Sequence, residues 1–192
     1  MTLLKDIYDR LTAHAGKTFP CPKTVNKGMA GFLVEMLAGI PQTSNCLDCE
    51  DGEVKSFPLK RLRGGALAPK ETIAVTMIQP AALATTAFAD SNAYRKLANC
   101  LYIPYIREDD ATVTLFRPLI FAVPPESAVY RQLEADYGTI VAAAGAAGGS
   151  LEGTSGLGVY LQNRTKGAGH GSVSRAFYLR PAFIKAFLME GL

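Results

Sequence analysis

The chain is poor in the residues and runs that several classes of protein require. Its 192 residues include no tryptophan, two histidines and four cysteines. No apolar run approaches the roughly 18 residues that a membrane-spanning helix needs. The opening stretch, MTLLKDIYDRLTAHAG, has polar side chains every few positions and no small-residue cleavage site, so it predicts a helix rather than a signal peptide. We therefore expect a cytoplasmic protein.

The scarcity of histidine and cysteine restricts the chemistry. Four cysteines in a chain of this length do not make a disulfide framework. The sequence has only His14 and His170, and neither lies in a nucleophile motif, which argues against Ser-His and Cys-His catalysis. Cys46 and Cys49 have the spacing of a zinc-ligand pair, but no second Cys or His pair follows at a typical distance. Buried, reduced thiols are the expectation.

The charge is small in total but unevenly distributed. Hydrophobic residues make up 48% of the chain and charged residues 19%, which is typical of a globular protein. The formal charge is +3, with basic segments at 55–70 and 159–192 and an excess of acids at 107–137. Two basic regions around an acidic middle suit a polyanion such as nucleic acid. Ordinary surface charge would give the same pattern.

Hydrophobic periodicity predicts three helices in the first three quarters of the chain. Apolar residues recur at helical spacing over residues 3–14, from about 27 to 38 with Asn26 as N-cap, and from about 125 to 144. Glu35 lies at the edge of the apolar stripe of the second helix.

Extended segments alternate with these helices. Residues 99–106 and 112–123 flank an acidic turn and predict a hairpin, in which Pro104 and Pro118 suggest edge positions or bulges. In residues 52–59 the alternation places Glu53, Lys55 and Phe57 on one face and turns Val54 to the core. Three further strands are expected. One covers 72–78, one opens the segment 158–172 and is followed by a basic loop, and one precedes a terminal amphipathic helix that starts near Pro181.

The segment 142–158 is rich in glycine and other small residues. It predicts a flexible connection between lobes or a loop that a ligand orders. Its glycines lack the strand-turn-helix context of a dinucleotide or P-loop fingerprint, and the chain has no Gly-Lys-Ser/Thr.

One stretch, LDCEDGEVKSF, combines residues suited to phosphoryl chemistry. Glu53 and Lys55 share one side of a strand about 7 Å apart, and Asp48 precedes them across a turn that contains Gly52. Two carboxylates can converge on a hard cation such as Mg²⁺, and a lysine beside them can activate water or offset charge on phosphorus. The pattern by itself favours a solvated acidic turn that enters a strand over a metal site.

Six segments between about residues 27 and 187 share features with one family of nucleases, in the same order along the chain. The segments are KGMAGFLVEMLAG, LDCEDGEVKSFPL, YRKLANCLYIP, YRQLEADYGTIV, YLQNRTKG and AFYLRPAF. Together they resemble the MutH family, which contains the mismatch-repair GATC endonuclease and related restriction enzymes of the PD-(D/E)xK nuclease superfamily.

The resemblance implies a role for particular residues. Asp48 and Glu53 would bind Mg²⁺, for which Mn²⁺ would substitute, and Lys55 would activate water. The loop before Glu53 carries two further acids, Glu50 and Asp51, which leaves open which acid coordinates, with Asp48 favoured. Further implied residues are Glu35 as a metal or water ligand, Lys96 at the scissile phosphate, Arg164 and Lys166 in the major groove, Tyr178 near the adenine, and Lys27 as a DNA contact.

The implied fold is an α/β restriction-endonuclease-like mixed sheet flanked by helices, with two lobes forming a DNA-binding cleft. We expect one domain over 1–192, with a catalytic lobe at about 1–105 and a recognition lobe at about 106–192. The implied function is Mg²⁺-dependent cleavage of double-stranded DNA, at GATC by resemblance. Alternatives are a repair nickase with repair-protein partners, a restriction enzyme, and a DNA-binding module without catalysis. The oligomeric state is open.

Overall fold

The computed structural model describes residues 2–24, 28–41, 45–166 and 174–192. Two compact units make up the chain, each from several segments. The first comprises Met1–Glu71, Asn99–Ala122 and Lys185–Leu192, and the second comprises Thr72–Ala98 and Val123–Ile184. No helix in the described ranges is long and apolar enough to cross a bilayer.

The first unit is a six-stranded mixed sheet with two helices. The elements are α1 (Leu4–Thr12), β1 (Thr18–Pro20), α2 (Met29–Ala38), β2 (Glu53–Arg61), β3 (Leu67–Pro69), β5 (Asn99–Arg107), β6 (Thr112–Leu115) and β7 (Leu119–Ala122). The strand order is β1-β6-β5-β2-β3, and β7 also pairs with β5. β2 and β5 run parallel, and the remaining pairs are antiparallel.

The expected helices 3–14 and 27–38 are confirmed as α1 and α2, and the expected hairpin is confirmed as β5 and β6. Asn26, the expected N-cap of α2, lies outside the described residues. Gly39 ends α2 in a left-handed conformation with φ 67°, which glycine adopts without steric cost.

The expectation that Pro104 marks an edge or a bulge is wrong. β5 is a central strand, with β2 on one side and both β6 and β7 on the other. β7 pairs as far as Tyr102 and β6 starts at Tyr105, so Pro104 lies where neither strand requires an N–H donor on that side.

The expectation that Val54 turns to the core is confirmed, and the opposite face of β2 carries buried residues as well. Val54 packs, partly buried, against the cluster formed by α1, α2 and β5, as expected. Phe57, on the opposite face, is also fully buried, and Glu53 is 3% exposed. β2 is therefore covered on both faces, as is usual for a strand in a parallel pair.

The second unit has a three-stranded antiparallel sheet in the order β4-β9-β8. Its long helix, α5, confirms the helix expected at about 125–144. The elements are β4 (Ile73–Met77), α3 (Pro80–Leu83), a 3₁₀ turn (Phe88–Asp90), α4 (Asn92–Leu97), α5 (Ala128–Ala146), β8 (Leu161–Thr165), β9 (Arg175–Leu179) and α6 (Pro181–Phe183).

Two expectations about the organisation of the chain differ from the structure. The expected terminal helix is one short turn, α6, followed by a π-helical turn at Ile184–Leu188. The expected lobe boundary after residue 105 falls inside β5, and residues 72–98 group with the C-terminal half of the chain. The first unit is discontinuous because β5, β6 and β7 join the sheet that already contains β1, β2 and β3, after residues 72–98 have formed part of the second unit.

Candidate functional site

The beginning of β2 carries a buried ion pair. The Nζ of Lys55 lies 2.9 Å from Oε1 of Glu53 and donates a hydrogen bond to it. The side chains are 12% and 4% exposed respectively. Alternation along the strand puts both on one face, and the carboxylate fixes the direction of the ammonium group.

Two of the three acids before Glu53 have different hydrogen-bond partners. Oδ2 of Asp48 accepts a hydrogen bond from the backbone N–H of Val54, which lies between the two members of the ion pair. Oδ1 of Asp51 instead accepts from the N–H of Leu4 at the beginning of α1. Asp51 thus satisfies an N–H at a helix terminus, whereas the carboxylate of Asp48 reaches the start of β2.

Gly52 makes the turn into Glu53 possible. A Cβ built on Gly52 would lie 2.3 Å from the carbonyl oxygen of Asn99 and 2.5 Å from Cδ1 of Leu4. The side-chain amide of Asn99 donates to the carbonyl of Asp51, which holds β5 against this turn. Sequence reasoning placed Gly52 in the turn but did not assign it this close backbone approach.

On β5, Cys100 and Tyr102 lie beside the ion pair. They are the register partners of Glu53 and Lys55 in the parallel ladder, and both are completely or almost completely buried. Burial raises the pKa of the Cys100 thiol to about 12, although the Lys55 charge acts in the opposite direction. Burial also raises the pKa of Tyr102 well above its usual value. These residues give the ion pair a covered, weakly polar flank.

Glu35 lies on a helix that packs against the other face of β2. A Cβ on Gly31, one turn before Glu35, would lie 3.7 Å from Oγ of Ser56. Ser56 alternates with Lys55, so α2 covers the face opposite to the ion pair. The structure therefore does not bring Glu35 together with Asp48 and Glu53 as one group of three acids.

Asp48 and Glu53 supply the kind of donor atom that Mg²⁺ prefers. The described residues contain no group of three or more His, Cys, Asp or Glu side chains that could hold a metal ion. Mg²⁺ usually takes one or two carboxylates and completes its octahedron with waters and substrate phosphates. Two hard carboxylates near one strand end fit that requirement.

Three of the residues expected to contact DNA, which are Arg164, Lys166 and Tyr178, lie in the second unit. Arg164 is exposed on β8, and its guanidinium carbon lies 5.9 Å from the ring centre of Tyr178 on β9. Its Nη1 also donates to Oγ1 of Thr72. Tyr178 is half-buried, and this burial raises its pKa while Arg164 opposes the shift. The two side chains thus form a cation–aromatic pair across the strands.

The other expected contacts are less closely grouped. Lys166 is exposed directly after β8, and its backbone N–H donates to Ser174. Lys96 lies in the last turn of α4, half-buried. Lys27 lies outside the described residues.

Sequence reasoning missed the residue that organises the entry to β8. Asp136 of α5 is 2% exposed, and its carboxylate accepts hydrogen bonds from the backbone N–H groups of Val159, Tyr160 and Leu161 at 2.8, 2.6 and 2.8 Å. Arg180 donates from the other side to the carbonyls of Gly156 and Gly158. The glycine-rich segment is therefore fixed where it joins β8, although the sequence suggested a flexible connection.

A mixed sheet flanked by helices, with a carboxylate–lysine pair at the beginning of a central strand, is consistent with a nuclease fold of the restriction-endonuclease type. The family model described as "MutH: DNA mismatch repair enzyme MutH" matches residues 43–134. This match confirms the resemblance to the MutH family and supports a DNA endonuclease. It covers just under half of the chain, including Asp48, Glu53, Lys55 and Lys96. No curated protein matches the chain.

Proposed function

We propose that the protein is an endonuclease that hydrolyses phosphodiester bonds of double-stranded DNA at GATC sites, with Mg²⁺ as its cofactor. The observation that carries this proposal is the ion pair of Glu53 and Lys55, with the Asp48 carboxylate bonded to the backbone between them. The pair lies within the stretch that matches the MutH family. A module that only binds DNA has no use for these carboxylates, because they repel the phosphate backbone.

The side chains have distinct roles in the proposed reaction. Bound Mg²⁺ would supply positive charge at the phosphate and lower the pKa of a water. Asp48 and Glu53 would hold the ion, and Glu53 also orients Lys55. The Lys55 ammonium would hold the attacking water and offset the charge that develops during in-line displacement. Lys96 would add a second cation at the scissile phosphate.

The second unit would supply sequence recognition. Arg164 and Lys166 would pair with guanine in the major groove through its O6 and N7 atoms. Tyr178 would lie near the adenine, where a methyl group on N6 would be sensed, and Lys27 would contact DNA.

Mn²⁺ would replace Mg²⁺ as the cofactor. Repair-protein partners belong to the nickase form of this proposal and are not needed by a restriction enzyme.

The proposal is tested with a supercoiled plasmid that carries GATC sites. We expect wild-type protein to nick or linearise it with Mg²⁺ or Mn²⁺ and to leave it intact with EDTA. Lys55→Ala should abolish cleavage, whereas Lys60→Ala, an exposed lysine of the same strand, should not. Nicked or linear product, with and without adenine methylation, distinguishes a repair nickase from a restriction enzyme.

Two results would contradict the proposal in different ways. Binding of the plasmid without cleavage under every metal condition would identify a DNA-binding module without catalysis. Failure to bind or cleave any duplex would remove the nucleic-acid function altogether.

A further inference from the structure

The polar face of the β4-β9-β8 sheet contains a glutamine that the proposed function has not used. Gln162 of β8 and Tyr178 of β9 are directly opposite each other in the antiparallel register. Residues in such a pair share one face, and residues two apart on a strand share it as well. Gln162 therefore lies on the same face as Tyr178 and Arg164, the cation–aromatic pair.

The amide of Gln162 is covered but not bonded. The residue is 8% exposed. Within the described part of the chain its side chain makes no hydrogen bond. Its amide oxygen and nitrogen nevertheless keep some access to solvent. A largely buried amide without a protein partner is costly, so its donor and its acceptor are best explained by a group that comes from outside the chain.

The chemistry of the amide identifies that group. Glutamine presents an acceptor and a donor side by side, and in the major groove this pair matches N6 and N7 of adenine. An arginine matches O6 and N7 of guanine. Gln162 and Arg164 project from one face about 7 Å apart, while successive bases lie about 3.4 Å apart. Long side chains bridge this difference, so the pair suits a guanine next to an adenine.

We propose that Gln162 reads the adenine of the target sequence through a two-point amide contact, beside Arg164 on the neighbouring guanine. This inference rests on the proposed function and gives it a specificity-determining residue. Tyr178 is the register partner of Gln162, and its ring lies against the Arg164 guanidinium, so the three residues share one face of the sheet.

The test pairs a protein change with a change in one DNA atom. The rate constant kcat/KM is measured with the full chain on a GATC duplex and on the same duplex with 7-deazaadenine, which lacks the N7 acceptor. For wild-type protein, kcat/KM should be about 5- to 10-fold lower on the analogue than on the natural duplex, as expected for the loss of one contact. For Gln162→Ala, kcat/KM on the natural duplex should be about 5- to 150-fold lower than that of wild type, as expected for the loss of a complete amide–base pair. The variant should then show no further loss on the analogue.

Controls separate this contact from a structural role. Gln162→Met removes the amide and keeps most of the side-chain volume, so it should behave like Gln162→Ala even if the alanine variant folds poorly. Gln79→Ala makes the same change at an exposed glutamine of the same unit and should match wild type. Thermal unfolding of each variant checks that the fold is intact.

The outcomes distinguish the inference from the proposed function. If wild type cuts the GATC duplex but Gln162→Met keeps the full sensitivity to 7-deazaadenine, Gln162 does not contact N7 and this inference is overturned alone. If wild type neither binds nor cuts any duplex, the proposed function fails, and the inference fails with it.

Discussion

The Nζ of Lys55 lies 2.9 Å from Oε1 of Glu53, and each charge is almost completely covered by protein. Removal of one partner leaves the other as a poorly solvated charge, which is strongly destabilising. We expect Lys55→Met to lower the free energy of unfolding by about 3 kcal/mol. The double variant, which combines Glu53→Gln with Lys55→Met, should lose less free energy of unfolding than the two single variants lose in sum, because the pair acts as one unit. Urea unfolding of all four proteins measures this coupling.

The matched control for the ion pair is Lys60→Met, which removes an exposed lysine from the same strand. It should change the free energy of unfolding by at most about 0.5 kcal/mol. Additive losses in the Glu53 and Lys55 cycle would show that the two charges are solvated independently, in conflict with their burial.

Gly52 provides a second test at the same strand end. In Gly52→Ala the new methyl group would meet a backbone oxygen of Asn99 at 2.3 Å, and this oxygen belongs to β5 and has little freedom to move. We expect a loss of about 1–3 kcal/mol in stability, typical of overpacking. We also expect a loss of cleavage activity because Glu53 must shift. Thermal unfolding and the plasmid assay measure the two effects.

Gly64→Ala is the control for this substitution. Gly64 has open space around its Cβ position, so alanine there should leave both stability and cleavage unchanged. A fully stable and active Gly52→Ala would mean that β2 and β5 separate more easily at this end than their contacts indicate.

Local patterns were sufficient to predict the elements that depend on short-range spacing. The alternation of Glu53 and Lys55 placed them on one face of a strand, and the apolar stripes located α1, α2 and α5. These predictions held because side-chain direction in a helix or strand follows from its period alone.

The remaining features depend on pairings between distant parts of the chain. Pro104 is compatible with a central strand only because β6 and β7 divide the other side of β5 between them. The face of β2 on which α2 packs, and with it the position of Glu35, also depends on such a pairing and does not follow from the period of the helix. Asp136 and Gln162 look like ordinary helix and strand residues, and only the burial of both and the backbone N–H groups bonded to Asp136 single them out.

Asp136 gives a prediction for the recognition sheet. Its carboxylate accepts three backbone N–H groups at the entry to β8. In Asp136→Asn an amide NH₂ group replaces one of the two acceptor oxygens, so that a donor faces a backbone N–H donor. We expect a loss of about 1–3 kcal/mol in stability, as for a buried group without its partner. DNA affinity should fall further than stability explains, because β8 carries Arg164. Urea unfolding and duplex binding, each at fixed salt, measure these effects.

Asp90→Asn changes an exposed carboxylate of the same unit and should have no effect on either quantity. If Asp136→Asn lost stability but bound duplex DNA as wild type does, the loop that Asp136 fixes would not position the recognition strand.

The buried thiols predict how stability depends on pH. Burial raises the pKa of Cys100 to about 12 and that of Cys49 to about 11, from an ordinary value of 9.0. As the pH rises, these thiols therefore lose their protons in the unfolded chain before they do so in the folded protein. The contribution of the neutral thiols to the free energy of unfolding is fully present below about pH 9 and is lost as the pH rises towards 11 and 12. Buried tyrosines act in the same direction, and comparison with Cys100→Ala isolates the thiol. We expect the urea midpoint of wild type to fall more steeply between pH 8.5 and 10.5 than that of Cys100→Ala. Cys46→Ala leaves both buried thiols in place, so its urea midpoint should depend on pH as that of wild type does. Parallel curves of urea midpoint against pH for all three proteins would show that Cys100 ionises as readily in the folded protein as in the unfolded chain.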